Sequence, residues 1–148
     1  MKALTLYQPW ASLIAWREKQ YETRGWSTLY RGPLAIHASK NFKEGREVCA
    51  INSFYREALA RAGVQHFDNL PIGAVLCLVD LVDVVKTETL NGKISQSEEH
   101  FGDYSWGRYA WKLENVRVLK YPFTQRGSQG LWEWDVMVEE LEIRKDGA

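Results

Sequence analysis

AVLCLVDLVDVV, residues 74–85, is apolar at successive positions, interrupted only by Asp80 and Asp83. A strand with one wet face alternates, so an unbroken run of this length reads as a strand covered on both faces. It belongs in the middle of a sheet. Pro71 and Gly73 punctuate its start, and their backbone preferences place a turn there.

Working back from that strand, residues 44–62 read as one helix, because Val48, Ile51, Tyr55 and Leu59 recur at helical spacing and Gly63 supplies the stop. Arg31, Gly32 and Pro33 open a strand over 34–39, with Leu34, Ile36 and Ala38 toward the core and His37 facing away from it. Residues 20–26 read as another strand, whose period of two places Glu22, Arg24 and Trp26 on one face. Residues 2–7 form the first strand, and Pro9 suits the first turn of a short helix ending near Arg17. Working forward, 90–104 is a polar loop with a short helix, in a place common for lids. Strands follow at 108–119 and 130–136. Six β segments and two helices predict an α+β fold: a small, strongly curved mixed β-barrel of about six strands with flanking helices.

Composition bounds the class. The 148 residues make a single domain spanning 1–148. Nineteen basic and nineteen acidic residues cancel, so no global positive field holds a long nucleic acid, although a local basic patch remains open. Cys49 and Cys77 sit in apolar segments without CxxC spacing, which argues against a disulfide framework and for a reducing, cytoplasmic setting. The run Ala74–Val79 is too short to span a bilayer, so no membrane association is expected. His37, His66 and His100 lack metal-site spacing, and no Gly-rich phosphate loop is apparent. Neither a metal nor a cofactor is expected.

The chemistry concentrates in WREKQYETRGW, residues 16–26, which sets Lys19, Glu22 and Arg24 among aromatic and apolar neighbours. A desolvated lysine loses basicity and becomes able to take a proton, whereas a solvated Lys19–Glu22 pair contributes little. Both readings stand. Asp80, flanked by Val79 and Leu81, must find a donor, either Lys19 in a catalytic pair or Arg24 or Lys19 in a structural one. Arg24 suits a pyrimidine carbonyl, an oxyanion or an internal ion pair. Among seven tryptophans, Trp10 and Trp26 are the candidates for stacking on a base. Gln8 suits a base edge or a cap of the turn before Pro9.

The chain resembles the ASCH family of PUA-like barrels through MKALTLYQPWASLI, a GxKxxExR-like segment at 17–24, RGPLAIHASK, PIGAVLCLVDLVDV and the closing GLWEW. Arg17 stands where the motif has glycine, so a different backbone path is expected there. The resemblance implies readers of RNA or modified bases. A compact bacterial branch, which hydrolyses N4-acylcytidines such as N4-acetylcytidine, implies catalytic roles for Lys19 and Asp80. Glu22 occupies the place of that branch's threonine, so no acyl-enzyme forms there and water is the expected nucleophile. The expected activity is a metal-independent amidohydrolase with Lys19 as base, Glu22 positioning water or shuttling the proton to the cytosine amine, and Asp80 anchoring Lys19. Gln8, Trp10, Arg24 and Trp26 then bind a small nucleoside or modified base. The alternative is a non-catalytic module for single-stranded RNA or modified nucleotides.

Overall fold

A computed structural model describes residues 1–145. Its strands are β1 (Lys2–Leu6), β2 (Tyr21–Arg24), β3 (Gly32–Ala38), β4 (Ala74–Lys86), β5 (Tyr109–Thr124) and β6 (Leu131–Glu133), and its helices α1 (Trp10–Ala15), α2 (Lys43–Ile51), α3 (Ser53–Arg61) and α4 (Gln96–His100). The six strands form one mixed sheet in the order β2-β5-β4-β3-β1-β6, with β1 and β3 parallel and the other neighbours antiparallel. β4 is central, as its sequence requires.

Both faces of β4 are covered. Leu76, Cys77, Val79 and Leu81 join Leu4, Ile14, Leu34, Ile36 and Trp111 in one apolar cluster. Val75 and Leu78 join Ala3, Ala35, Leu119 and Trp134 in another, against which Val136, Leu141 and Ile143 pack. Each fully buried Leu or Val contributes roughly 1.5–3 kcal/mol by leaving water. The sheet curls into a half-barrel: Arg24 on β2 donates to the carbonyl of Thr5 on β1 at 3.0 Å, across the space spanned by β5, β4 and β3. Three register irregularities along the β4–β5 pair increase the bend.

Local differences from the sequence reading have local causes. The helix expected over 44–62 is two helices broken at Asn52, which is extended (φ −107°, ψ 119°) and accepts from the Phe54 N–H at 2.9 Å. Asparagine favours such a cap over a helix interior. The break shifts the helical phase, leaving Ile51 82% exposed instead of in the core. Gly45 allows α2 to lie on the turn before α1, since a Cβ there would meet the Gln8 carbonyl oxygen at 1.7 Å. β5 runs on to Thr124 to pair with the first residues of β4, while β6 ends at Glu133.

Arg17 keeps the left-handed turn that the motif glycine would supply. Its φ is 64°, and Arg17 N–H donates to Ile14 O at 3.0 Å while Glu18 N–H donates to Leu13 O at 2.9 Å. This paired pattern closes α1 as a Schellman motif. The different backbone path expected for arginine is therefore not taken.

Candidate functional site: a cleft floored by buried charges

The half-barrel opens on a cleft of about 1340 Å³. β2 supplies Glu22, Thr23 and Arg24, with Gly25 and Trp26 just beyond it. The ends of β1 and β3 add Thr5, Tyr7 and His37, and the segment between β5 and β6 adds residues 125–130.

The motif side chains form a network at the floor. Lys19 is 1% exposed; its Nζ donates to the Phe101 carbonyl at 2.7 Å and lies 3.6 Å from Glu22 Oε1. Glu22 Oε2 lies 3.0 Å from Arg24 Nε, so one carboxylate is shared by two cations. Burial lowers the Lys19 pKa, opposed by the negative charges of Glu22 and Glu98. Glu22 and Arg24 line the cleft, whereas Lys19 lies beneath it with no exposed side-chain surface. Between the two readings of Lys19 as a solvated pair or a desolvated base, the first is excluded by its burial.

Glu98 is the member that sequence reasoning missed. It is buried, and its carboxylate accepts from the N–H groups of Gln20 at 2.7 Å and Tyr21 at 3.4 Å, tying α4 to the entrance of β2. Burial raises its pKa, opposed by these two N–H groups and by Lys19. Its signal was the spacing Ser95-x-x-Glu98, which marks a helix start. Ser95 does cap α4 by accepting from the Glu98 N–H at 3.1 Å, but the glutamate side chain turns to β2. The segment read as a candidate lid is thus pinned to the floor.

The structure separates other candidates. Asp80 does not meet Lys19 or Arg24: it accepts from Arg117 Nη1 at 3.1 Å and Asn115 Nδ2 at 3.0 Å on β5 and is absent from the cleft lining. A strand neighbour supplies its donor, so the anchoring role expected for it is corrected. Gln8 is also corrected. Fully buried, it donates to Ser12 Oγ at 2.8 Å and to Pro71 O at 2.7 Å, and accepts from Ser12 N–H at 3.0 Å. Those bonds serve the first turn of α1 and leave no amide edge for a ligand.

Trp10 and Trp26 both reach the cleft. Trp10 donates to the Tyr55 hydroxyl at 3.0 Å, which in turn donates to His100 O at 2.8 Å. Trp26 is 38% exposed and stands edge-on to buried Trp111, with centroids 4.9 Å apart. One ring is braced while part of its surface stays open, a platform suited to stacking.

His37 faces away from the first core cluster yet is buried, because the segment beyond β5 covers it. Its Nε2 contacts Gln125 O at 2.6 Å and its Nδ1 contacts Thr5 Oγ1 at 3.1 Å. Trp132 also donates to Thr5 Oγ1 at 3.1 Å. Burial lowers the His37 pKa, partly offset by the Gln125 carbonyl. With Nε2–H donating to that carbonyl, Nδ1 accepts from Thr5; these roles form a neutral chain. Among the described residues, no His, Cys, Asp and Glu side chains cluster in a geometry able to hold a metal.

The comparisons with known proteins place this curled six-stranded mixed sheet in a family. The ASCH domain family model matches residues 4–123, and the chain belongs to that family. It is 29% identical over 140 residues to Activating signal cointegrator 1 of Mus musculus, and equally to that of Homo sapiens. Each match covers 93% of this chain but 23% of the relative, so the chain spans about a quarter of those proteins' length. The crystal structure of ASCH from Zymomonas mobilis superimposes with a TM-score of 0.50 at 16% identity, covering 83% of this chain and 72% of that one. A point variant of it gives 0.50 at 15%, covering 83% and 74%. This is a likeness of fold.

Proposed function

We propose that the cleft is a nucleobase-recognition site, taking a single unstacked base from an RNA strand or from a modified nucleoside. The observation that carries this is Glu22, held between Lys19 and Arg24 at the cleft floor four residues from the open ring of Trp26. A carboxylate accepts from an exocyclic amine such as cytosine N4, and an indole face stacks on any base. Buried Lys19, 3.6 Å from Glu22 Oε1, holds that acceptor in place without touching the ligand. Its assigned role is therefore positioning. Family membership supports the same reading. We place the protein in the cytoplasm, where the free thiols Cys49 and Cys77 stay reduced.

Titration with cytidine, followed by tryptophan fluorescence, tests this site. Quenching that is lost in Trp26→Ala supports it, and unchanged affinity in both Trp26→Ala and Glu22→Gln overturns it.

The second reading is hydrolysis of N4-acylated cytosine nucleosides, favoured by a carboxylate and a guanidinium that line the cleft together, Glu22 Oε2 and Arg24 Nε lying 3.0 Å apart. Lys19 has no exposed side-chain surface, so Glu22 takes over as base. Glu22 accepts a proton from water, the water oxygen bonds to the acyl carbon, and the carbon–N4 bond breaks. N4 leaves with that proton, giving cytidine and the free acid. Arg24 faces the developing oxyanion. Incubation with N4-acetylcytidine decides between the two: release of cytidine that Glu22→Gln abolishes establishes the enzyme, and binding without turnover leaves the module.

A further inference from the structure

We propose that the cleft carries an anion subsite, built from Lys40, Arg126 and the main chain of residues 126–129, that takes a phosphate ester attached to the recognised base. The inference rests on the nucleobase reading only for what the phosphate is attached to. Charges elsewhere in the cleft wall are matched: Arg24 pairs with Glu22, and Arg108 lies 3.4 Å from Asp103. Lys40 and Arg126 also line the cleft, and among the described residues neither makes an ion pair or a side-chain hydrogen bond. Glu44 is the one remaining carboxylate of the wall, so the balance there is positive.

Two contacts bring these cations together although 86 positions separate them in the chain (126 minus 40). The Lys40 stem lies over Gly73, where a Cβ would meet Lys40 Cε at 2.8 Å. Gly73 O accepts from the Gln125 N–H at 3.0 Å. Arg126 follows directly. The segment is also pinned from below, since Gln125 O receives His37 Nε2 and a Cβ at Gly127 would meet the His37 ring at 2.6 Å.

That pinned main chain has spare donors. The N–H groups of residues 126–129 find no acceptor among the described residues, and the Ser128 hydroxyl is exposed beside them. Successive free N–H groups flanked by a guanidinium and an ammonium match the oxygens of a phosphate. The base and phosphate regions meet at Thr5, whose carbonyl accepts from Arg24 while its hydroxyl meets His37. A cleft of 1340 Å³ exceeds the ~300–1,000 Å³ that one small ligand fills. A nucleoside alone leaves it partly empty.

Titrating nitrogen-15-labelled protein with pyrophosphate tests the subsite without any base. Amide shifts confined to 126–130 and Lys40, and absent in the double variant Lys40→Ala/Arg126→Ala, support it. No shift, or shifts scattered over all surface cations, overturns it. In a second arm, cytidine is compared with cytidine 5′-monophosphate and with the dinucleotide CpC lacking a terminal phosphate. The phosphorylated ligands should bind about tenfold more tightly at low salt, and the double variant should lose that advantage while keeping its affinity for cytidine. A gain for the monophosphate alone identifies a terminal ester, and a gain for CpC a strand. Equal affinity of all three ligands rejects the subsite. If pyrophosphate shifts the segment but cytidine fails to bind, the base reading falls and the subsite stands.

Discussion

Glu22 and Asp80 are both strand carboxylates among apolar neighbours, and the half-barrel treats them oppositely. Glu22, on β2, is buried between Lys19 and Arg24 and looks into the cleft. Asp80, on β4, is held by Arg117 and Asn115 of the neighbouring β5, with its side chain about a third exposed. The lesson is that a carboxylate's role follows from the solvent its partners share. A buried carboxylate shared with a fully buried ammonium and a half-buried guanidinium is little screened, whereas a half-exposed pair is screened by water.

The largest effect should come from breaking the buried side. Glu22→Gln removes the carboxylate and leaves the Lys19 ammonium without its nearest counter-charge, which should cost about 3–5 kcal/mol in urea unfolding. A loss below ~1 kcal/mol would show that Glu22 behaves as a surface residue.

Lys19→Met should cost less, about 1–3 kcal/mol, because the Phe101 carbonyl loses its donor while no charge is stranded and Arg24 still serves Glu22. The double variant sharpens the point. Glu22→Gln with Lys19→Met should be more stable than Glu22→Gln alone, since the unpaired ammonium is gone; additive losses would count against the network.

Glu98 sets a pH signature on the same side. Its folded pKa is raised by burial, so from about pH 4.5 up to that value the folded state binds more protons than the unfolded state. Its contribution to stability is full below that window and is lost as pH rises through it. Glu98→Gln keeps an acceptor for Gln20 N–H but cannot titrate, so the difference between wild type and variant should change across this window and level off above it. A difference that stays flat with pH would remove Glu98 from the network.

The smallest effect belongs to the exposed side. Asp80→Asn should change stability by no more than ~1 kcal/mol and leave cytidine binding untouched. Loss of binding with an intact fold would return Asp80 to the site.

Strand order aside, the sheet was legible where pattern is local. Continuous apolarity marked β4, whereas the strand read over 20–26 is β2 at Tyr21–Arg24 only, and the cleft takes Thr23 and Gly25 as well as Glu22, Arg24 and Trp26. What failed depended on competition between nearby groups. Asn52 prefers capping to continuing a helix, and Arg17 accepts φ 64° because the Schellman bonds of α1 hold it there.

By itself, then, the sequence determined a curved mixed sheet with a central buried strand and a charged motif among aromatic neighbours, because periodicity and burial pattern are properties of neighbouring residues. Tertiary structure alone decided the partners. Curling brought Thr5 to Arg24, Glu98 to the entrance of β2, and Lys40 to the Gly73–Gln125 contact beside Arg126. It also assigned Asp80 to Arg117 in place of Lys19. Ion pairing and hydrogen bonding act over a few ångströms in space, and no spacing along the chain encodes which distant groups the sheet's curvature will bring within that reach.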